Sequence, residues 1–267
     1  MTAFDTDAVT GRLRAAGCVF AEEEARLLVT TARTEAELAG LVDRRVAGTP
    51  LEHVLGWAEF KGIRVGVRAG VFVPRQRSAL LVDEAVTLSA RHGTRTVVDL
   101  CCGSGALGLA LLTELATGPT PLPDLYAADI DPVAVECARD NLVPVGGRVY
   151  QGDLFDALPA TLRGRVDILL ANTPYVPTGH IARMPPEARD HEPPTALDGG
   201  PDGLDLARRT AAAAPAWLAP GGSLLIEIGA DQAAAATALL AAAGLSPRIA
   251  RSGDPAATVA AGTTSGR

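Results

Sequence analysis

The apolar positions change period along the chain. Over Ala21–Leu28 and Glu35–Val46 they recur at helical spacing with charged residues between them, the pattern of amphipathic helices. Gly48-Thr49-Pro50 interrupts this pattern, and Leu51–Gly56 reads as a short following turn. From Glu59 to Val67 the period falls to two, and Val71-Phe72-Val73-Pro74 follows after Arg68-Ala69-Gly70, so a β-hairpin is expected here. Beyond Arg77, apolar strands alternate with helical stretches. Strands are expected at Thr96–Cys101, Asp124–Asp129, Arg148–Gln151, Val166–Asn172 and Ser223–Ile228. Helices are expected at Ser78–Ala90, Ala106–Leu115, Pro132–Asn141, Leu206–Leu218 and Asp231–Ala243, with Ser78 as an N-cap and Pro132 at a first helical position. This alternation predicts an α/β chain with a parallel, doubly wound sheet. The expected domains are a helical unit over 1–57, a hairpin linker over 58–74 and an α/β domain over 75–267.

Composition narrows the partners. The chain has 267 residues, 48% hydrophobic and 21% charged, with a net charge of −7 and Lys61 as its only lysine. Acidic side chains outnumber basic ones in the first helices as well. Neither feature suits a protein that grips a phosphate backbone, so nucleic acid is disfavoured as a partner. Cys18, Cys101, Cys102 and Cys137 have no CxxC spacing, and the four histidines form no ligand cluster with them. No metal site is expected, and the compartment reads as a reducing cytoplasm. The apolar run Ala233–Leu245 is too short to cross a bilayer, so no membrane partner is expected either.

Candidate chemistry gathers at the strand ends. After the first α/β strand comes Asp99-Leu100-Cys101-Cys102-Gly103-Ser104-Gly105-Ala106-Leu107-Gly108. Glycines let a backbone turn sharply and approach a ligand, and the following helix offers unpaired N–H donors. The pattern suits dinucleotide and S-adenosyl-L-methionine (AdoMet) sites alike. Asp99 would repel a pyrophosphate and could hold an ammonium. Asp129, ahead of Ile130, could accept from both hydroxyls of a ribose, while Asp131 reads as the N-cap before Pro132. Asp153, in Gln151-Gly152-Asp153-Leu154-Phe155, could accept from an adenine amino group with Leu154 against the ring.

After the fourth strand stands Asn172-Thr173-Pro174-Tyr175. An amide nitrogen is a poor nucleophile, because its lone pair is shared with its carbonyl. Two acceptors on its two N–H bonds would hold it against an electrophile and stabilise the charge that develops on it. The Asn172 side-chain oxygen and the Thr173 carbonyl supply such a pair, with Tyr175 stacking on the planar group. The long stretch from Glu187 to Gly203 is expected to be a lid or binding element.

The ordered set Asp99–Gly105, Asp129, Gly152-Asp153 and Asn172–Tyr175 resembles class I AdoMet-dependent methyltransferases that act on amide or amino nitrogen. More narrowly, the chain is similar to the HemK/PrmC protein-(glutamine-N5) methyltransferases. Gly48–Gly56, Phe72-Val73-Pro74-Arg75, Glu192–Leu204 and Pro220–Gly229 also match that family, so the likeness spans nearly the whole chain. It implies a seven-stranded Rossmann-like domain after a small helical domain, with AdoMet as methyl donor. It also implies a glutamine side chain of a protein as acceptor, usually in a peptide-chain release factor. Carried over by position, Asp99, Cys101, Cys102, Gly103, Ser104, Gly105, Asp129, Ile130, Asp153, Leu154 and Asn172 would line the cofactor. Asn172, Thr173, Pro174 and Tyr175 would hold the acceptor, in a monomer.

This sequence departs from the family pattern at several places. Thr173 replaces a proline, Gln76, Arg77, Ser78 and Ala79 stand where the family has Pro-x-Thr-Glu, and Cys101-Cys102 replace a glycine and a threonine. The competing expectations are an adenine-N6 nucleic-acid methyltransferase, a non-catalytic AdoMet- or release-factor-binding module, and a dinucleotide oxidoreductase.

Overall fold

The structure is a computed structural model describing residues 5–119 and 121–266. Four helices open the chain: α1 (Thr6–Ala15), α2 (Ala21–Thr31), α3 (Glu35–Val46) and the short α4 (Leu51–Leu55). Asp5 caps α1 by accepting from the Ala8 N–H, and Thr34 caps α3 by accepting from Glu37 N–H. Leu13, Leu28, Leu38, Val42 and Val54 pack as one cluster between them. The pair Glu24–Arg45, 2.6 Å apart, is buried beside it, and Arg45 also reaches Glu187 at 2.7 Å, outside the helical unit.

The hairpin is shorter than the apolar alternation suggests. It consists of β1 (Trp57–Phe60) and β2 (Ile63–Gly66), turned through Lys61 and Gly62, both at positive φ. Val71-Phe72-Val73 form no strand. Val71 and Val73 are buried in an irregular segment that runs to the cavity described below.

The main sheet then builds around alternating helices: α5 (Ala79–His92), β3 (Thr96–Leu100), α6 (Ala106–Leu115), β4 (Asp124–Asp129), α7 (Pro132–Leu142) and β5 (Arg148–Gln151). It continues with β6 (Val166–Ala171), α8 (Pro186–His191), α9 (Asp205–Ala213), β7 (Leu218–Ile228), α10 (Ala233–Ala242), β8 (Ser246–Gly253) and β9 (Ala256–Thr263). The seven strands lie in the order β5-β4-β3-β6-β7-β9-β8. The first five are mutually parallel, whereas β9 runs antiparallel to both β7 and β8. The sheet is therefore mixed, not all-parallel: β8 and β9 form a hairpin at one edge, which a tight turn can join only in antiparallel sense.

Period-two alternation divides the strands between two cores. Val97, Ile168 and Leu170 face Leu81, Leu107, Leu111 and Leu142 of α5, α6 and α7. Val98, Leu169 and Ala171 face Ala207 and Ala211 of α9, Ala236 and Leu240 of α10, and Trp217.

Three boundaries differ from those expected. Ser78 ends a single 3-10 turn (Gln76–Ser78) and makes no cap bond, because its own backbone is already helical; its hydroxyl accepts instead from Asn172. Helix α9 stops at Ala213, and a 3-10 turn containing Pro215 delivers the chain into β7 five residues before the expected start. There the register slips between Val166↔Leu218 and Ile168↔Ser223, so Pro220-Gly221-Gly222 bulge out of the ladder.

Candidate active site

The strand order reverses between β3 and β6, and in an open α/β sheet a crevice forms beyond the carboxyl ends at such a switch point. Here that crevice is a cavity of about 560 Å³ fed by the ends of β3, β4, β5 and β6.

After β3, Cys101, Gly103 and Gly105 take φ of 53°, 54° and 77°. The chain thereby coils back on itself, and Cys102 N–H returns to the Ala128 carbonyl at 3.1 Å. Glycine is required at 105, where a Cβ would stand 2.8 Å from Leu142. After β4, Asp129 binds this turn from the side. Its Oδ2 accepts from Gly103 N–H at 2.9 Å and its Oδ1 from Asp131 N–H at 3.0 Å, which leaves one lone pair on each oxygen for a ligand. Asp131 caps α7 through Val133 N–H, as expected. Burial raises the Asp129 carboxyl above its ordinary value, against the pull of those backbone donors. Ile130 lies across the rim with 56% of its surface exposed. After β5, Asp153 accepts from Arg209 Nη2 at 2.6 Å, and Leu154, at φ 47°, turns into the wall. Phe155 instead packs on Trp217, 5.3 Å between ring centres, and belongs to the core.

At the end of β6 the Asn172 amide is held by its nitrogen, which donates to Ser78 Oγ at 3.2 Å. Its oxygen makes no hydrogen bond among the described residues and is free to accept. Thr173 is 1% exposed, with its hydroxyl unpartnered among the described residues. Tyr175 donates its hydroxyl to Glu227 Oε1 at 3.1 Å, and its carbonyl accepts from Gln232 Nε2 at 3.0 Å. Burial beside Glu227 pushes the Tyr175 phenol well above its ordinary range.

Of the residues singled out from the sequence, Cys101, Cys102, Gly103, Ser104, Asp129, Ile130, Asp153, Leu154 and Asn172 through Tyr175 line this one cavity. Asp99 and Gly105 do not. Asp99 shares a strand face with Val97, on the α6 side, so it lies behind the glycine turn with no exposed surface. Its Oδ2 accepts from Gly108 N–H at 3.1 Å, its Oδ1 has no partner, and burial raises its pKa to about 7. The structure thus places Asp99 behind the turn, where it braces the start of α6. Burial also raises the Cys101 and Cys102 thiols, so neither presents a ready thiolate.

The structure adds residues that pattern reading passed over. Glu192 and Glu227 are buried carboxylates behind the cavity wall, paired with Arg75 at 2.6 Å and Arg77 at 3.2 Å. Glu227 sits inside the run Leu224-Leu225-Ile226-Glu227-Ile228, and a charge within an apolar strand is the signal that marks it. The long loop supplies Pro193 through Gly200 as one wall. Its glycines are close-packed on the tetrapeptide: a Cβ at Gly199 would lie 2.6 Å from the Pro174 carbonyl, and one at Gly203 would lie 2.2 Å from that of Tyr175.

The methyltransferase small domain family matches residues 63–184. The chain is 39% identical over 226 residues to the release factor glutamine methyltransferase of Moorella thermoacetica, covering 80% of this chain and 76% of that protein. It is 38% identical over 196 residues to that of Geobacter sulfurreducens, covering 73% and 66%. It is also 36% identical over 259 residues to the 4-amino-L-phenylalanine/4-methylamino-L-phenylalanine methyltransferase of Streptomyces pristinaespiralis, covering 89% and 86%. Among solved structures, the Thermus thermophilus 16S rRNA N2 G1207 methyltransferase in complex with AdoMet and guanosine superposes with a TM-score of 0.54 at 20% identity, over 78% of this chain and 49% of that one. The ribosomal protein L11 methylase of Lactobacillus delbrueckii gives 0.52 at 14%, over 75% and 84%. These two share the fold. The sequence likenesses go further: the chain belongs to the family of the release factor glutamine methyltransferases.

Proposed function

We propose that the chain transfers a methyl group from AdoMet to the side-chain amide nitrogen (N5) of a glutamine in a protein, with a peptide-chain release factor as the first candidate. The observation that carries this reading is the Asn172 amide, whose nitrogen is spent on Ser78 Oγ so that its oxygen is left toward the same cavity as the glycine turn. The donor fits the rest of that cavity. The Cys101–Gly105 turn offers backbone N–H groups, Asp129 retains lone pairs for a ribose, and Leu154 and Ile130 give apolar walls for a base. When bound, AdoMet supplies an electrophilic methyl on a sulfonium.

The chain's own residues do the rest. The Asn172 oxygen and the Thr173 carbonyl each accept one N–H of the acceptor, which fixes its plane and stabilises the positive charge growing on nitrogen. Tyr175, anchored through its hydroxyl, limits where the planar group can lie. The proton leaves a nitrogen already carrying four bonds, so no strong base is needed.

Incubation with methyl-labelled AdoMet and release factors, followed by peptide mass spectrometry, should place one methyl on one glutamine. Label on no glutamine-bearing protein, with AdoMet binding intact, overturns the acceptor assignment. Asn172→Ala is expected to lower kcat about 100-fold, on the scale of losing one preorganised transition-state contact, while AdoMet affinity changes far less. A second reading, methylation of an amine on a free amino acid, is raised by the Streptomyces relative, a 4-amino-L-phenylalanine/4-methylamino-L-phenylalanine methyltransferase by name that aligns over 89% of this chain and 86% of its own. No helix among the described residues is long and apolar enough to cross a membrane.

A further inference from the structure

Two arginines line the acceptor side of the cavity, and the transfer chemistry uses neither. Arg77 donates Nε to Glu227 Oε1 at 3.2 Å, and its guanidinium lies 5.5 Å from the centre of the Tyr175 ring. Arg75 donates Nη2 to Glu192 Oε1 at 2.6 Å and lies 5.0 Å from the Phe72 ring. The glutamates are buried, with 1% and 4% of their side chains exposed, whereas Arg75 keeps 33% and Arg77 keeps 45%.

A neutralising role leaves part of this geometry unused. An arginine that satisfies a buried carboxylate frequently does so through both of its oxygens, in the two-pronged arrangement that planar guanidinium and carboxylate favour. Here each arginine meets one oxygen, and Oε2 of both Glu192 and Glu227 is left without a partner. The remaining guanidinium donors, Nη1 and Nη2 of Arg77 among them, make no hydrogen bond among the described residues. Each side chain is thus held at one nitrogen and against one aromatic face, lines the cavity and keeps part of its surface exposed. Such a cation has lost much of its rotamer freedom before a ligand arrives, so an anion that binds it does so at lower entropic cost.

We propose that the acceptor carries a carboxylate, received by the open fork of Arg77 with Arg75 beside it, and that this anionic handle presents the acceptor nitrogen to Asn172 and Thr173. The inference rests on the methyl-transfer reading above and deepens it. The carboxylate has two sources, the backbone carboxylate of a free amino acid or an acidic side chain next to a glutamine in a protein.

The test compares two probe pairs as methyl acceptors: 4-amino-L-phenylalanine against its methyl ester, and a glutamine-containing peptide with an adjacent glutamate against the same peptide with a neutral residue there. Within the pair that is used, the carboxylate member should have a kcat/KM about tenfold higher or more, the effect of one charge-assisted hydrogen bond. Arg77→Gln alone strands Glu227, so the variant of choice is Arg77→Gln with Glu227→Gln, which removes cation and buried anion together. In it the preference should fall toward unity while AdoMet affinity, read by calorimetry, is retained. Arg77→Lys keeps the charge but loses the fork, and should retain only part of the preference. Equal turnover within both pairs, an undiminished preference in the double variant, or no turnover of either carboxylate probe overturns the inference. Glutamine peptides methylated regardless of the flanking charge would sink the carboxylate site and leave the proposed function standing. The free amino acid methylated without the peptides would support the site and replace the acceptor.

Discussion

At the scale of single residues, the site depends on which atom of a side chain is already committed. Asn172 can accept only because Ser78 takes its nitrogen, and Tyr175 can lie in one plane only because Glu227 takes its hydroxyl. Ser78→Ala should release the Asn172 amide to rotate, lowering kcat about fivefold, the worth of one neutral hydrogen bond, with AdoMet affinity unchanged. Calorimetry beside single-turnover kinetics separates the two quantities. Tyr175→Phe should act similarly through orientation of the ring. If it instead weakened AdoMet binding as much as turnover, the ring would belong to the cofactor and not to the acceptor. The tetrapeptide was legible in the sequence because its chemistry is local: an acceptor oxygen, a carbonyl and a ring within four residues. Its supports were not legible. Ser78 and Glu227 lie 94 and 52 residues from their partners, and a hydroxyl before a helix more often caps that helix.

At the scale of elements, the central strands β3 and β6 and the second half of β7 were legible because they are buried on both faces and read as apolar runs bounded by turns. The edge hairpin was not. Strand β8 (Ser-Pro-Arg-Ile-Ala-Arg-Ser-Gly) is largely exposed and β9 is rich in alanine and glycine, so neither carries a strand signature. The pairing of β9 to β7, and of β8 to β9, decides the register, not their own propensity. The loop of Gly199 to Gly203 is the counterpart on the functional side: its glycines exist for close approach as well as for turning. Gly203→Ala is expected to destabilise the chain by about 2 kcal/mol or more, because φ is +76° and the new Cβ would stand 2.2 Å from the Tyr175 carbonyl. Gly164→Ala, at φ +68° with nothing within 4 Å, carries only the backbone penalty of about 1 kcal/mol. Urea midpoints for the two variants measure the difference. Equal losses would mean that the loop yields, and that its packing does not hold the tetrapeptide.

At the scale of the whole molecule, the turn that shapes the cavity is tied to distant parts. Asn141 of α7 bonds the Gly66 carbonyl and N–H at the end of the hairpin and the Ser104 carbonyl in the turn. Asp99 braces the same turn from behind, at a thermodynamic cost that depends on pH. Its folded pKa, about 7, lies above the ordinary value of 3.8, so the folded state holds a proton that the unfolded state has already released across that interval. Stability then falls as pH rises from about 4 to about 7, where the unfolded state binds fewer protons, and levels off once both states are ionised. The interval corresponds to at most about 4 kcal/mol. Asp99→Asn keeps an oxygen for Gly108 N–H and removes the titration. It should match the parent near pH 4, exceed it in unfolding free energy by about 1–3 kcal/mol at pH 8, and flatten the decline between, as read by denaturant unfolding across that range. A parent and variant whose stabilities run parallel in pH would show that Asp99 is ionised in the folded protein. Its unpartnered oxygen would then have to find a cation, and the ammonium first expected from the sequence would regain its case.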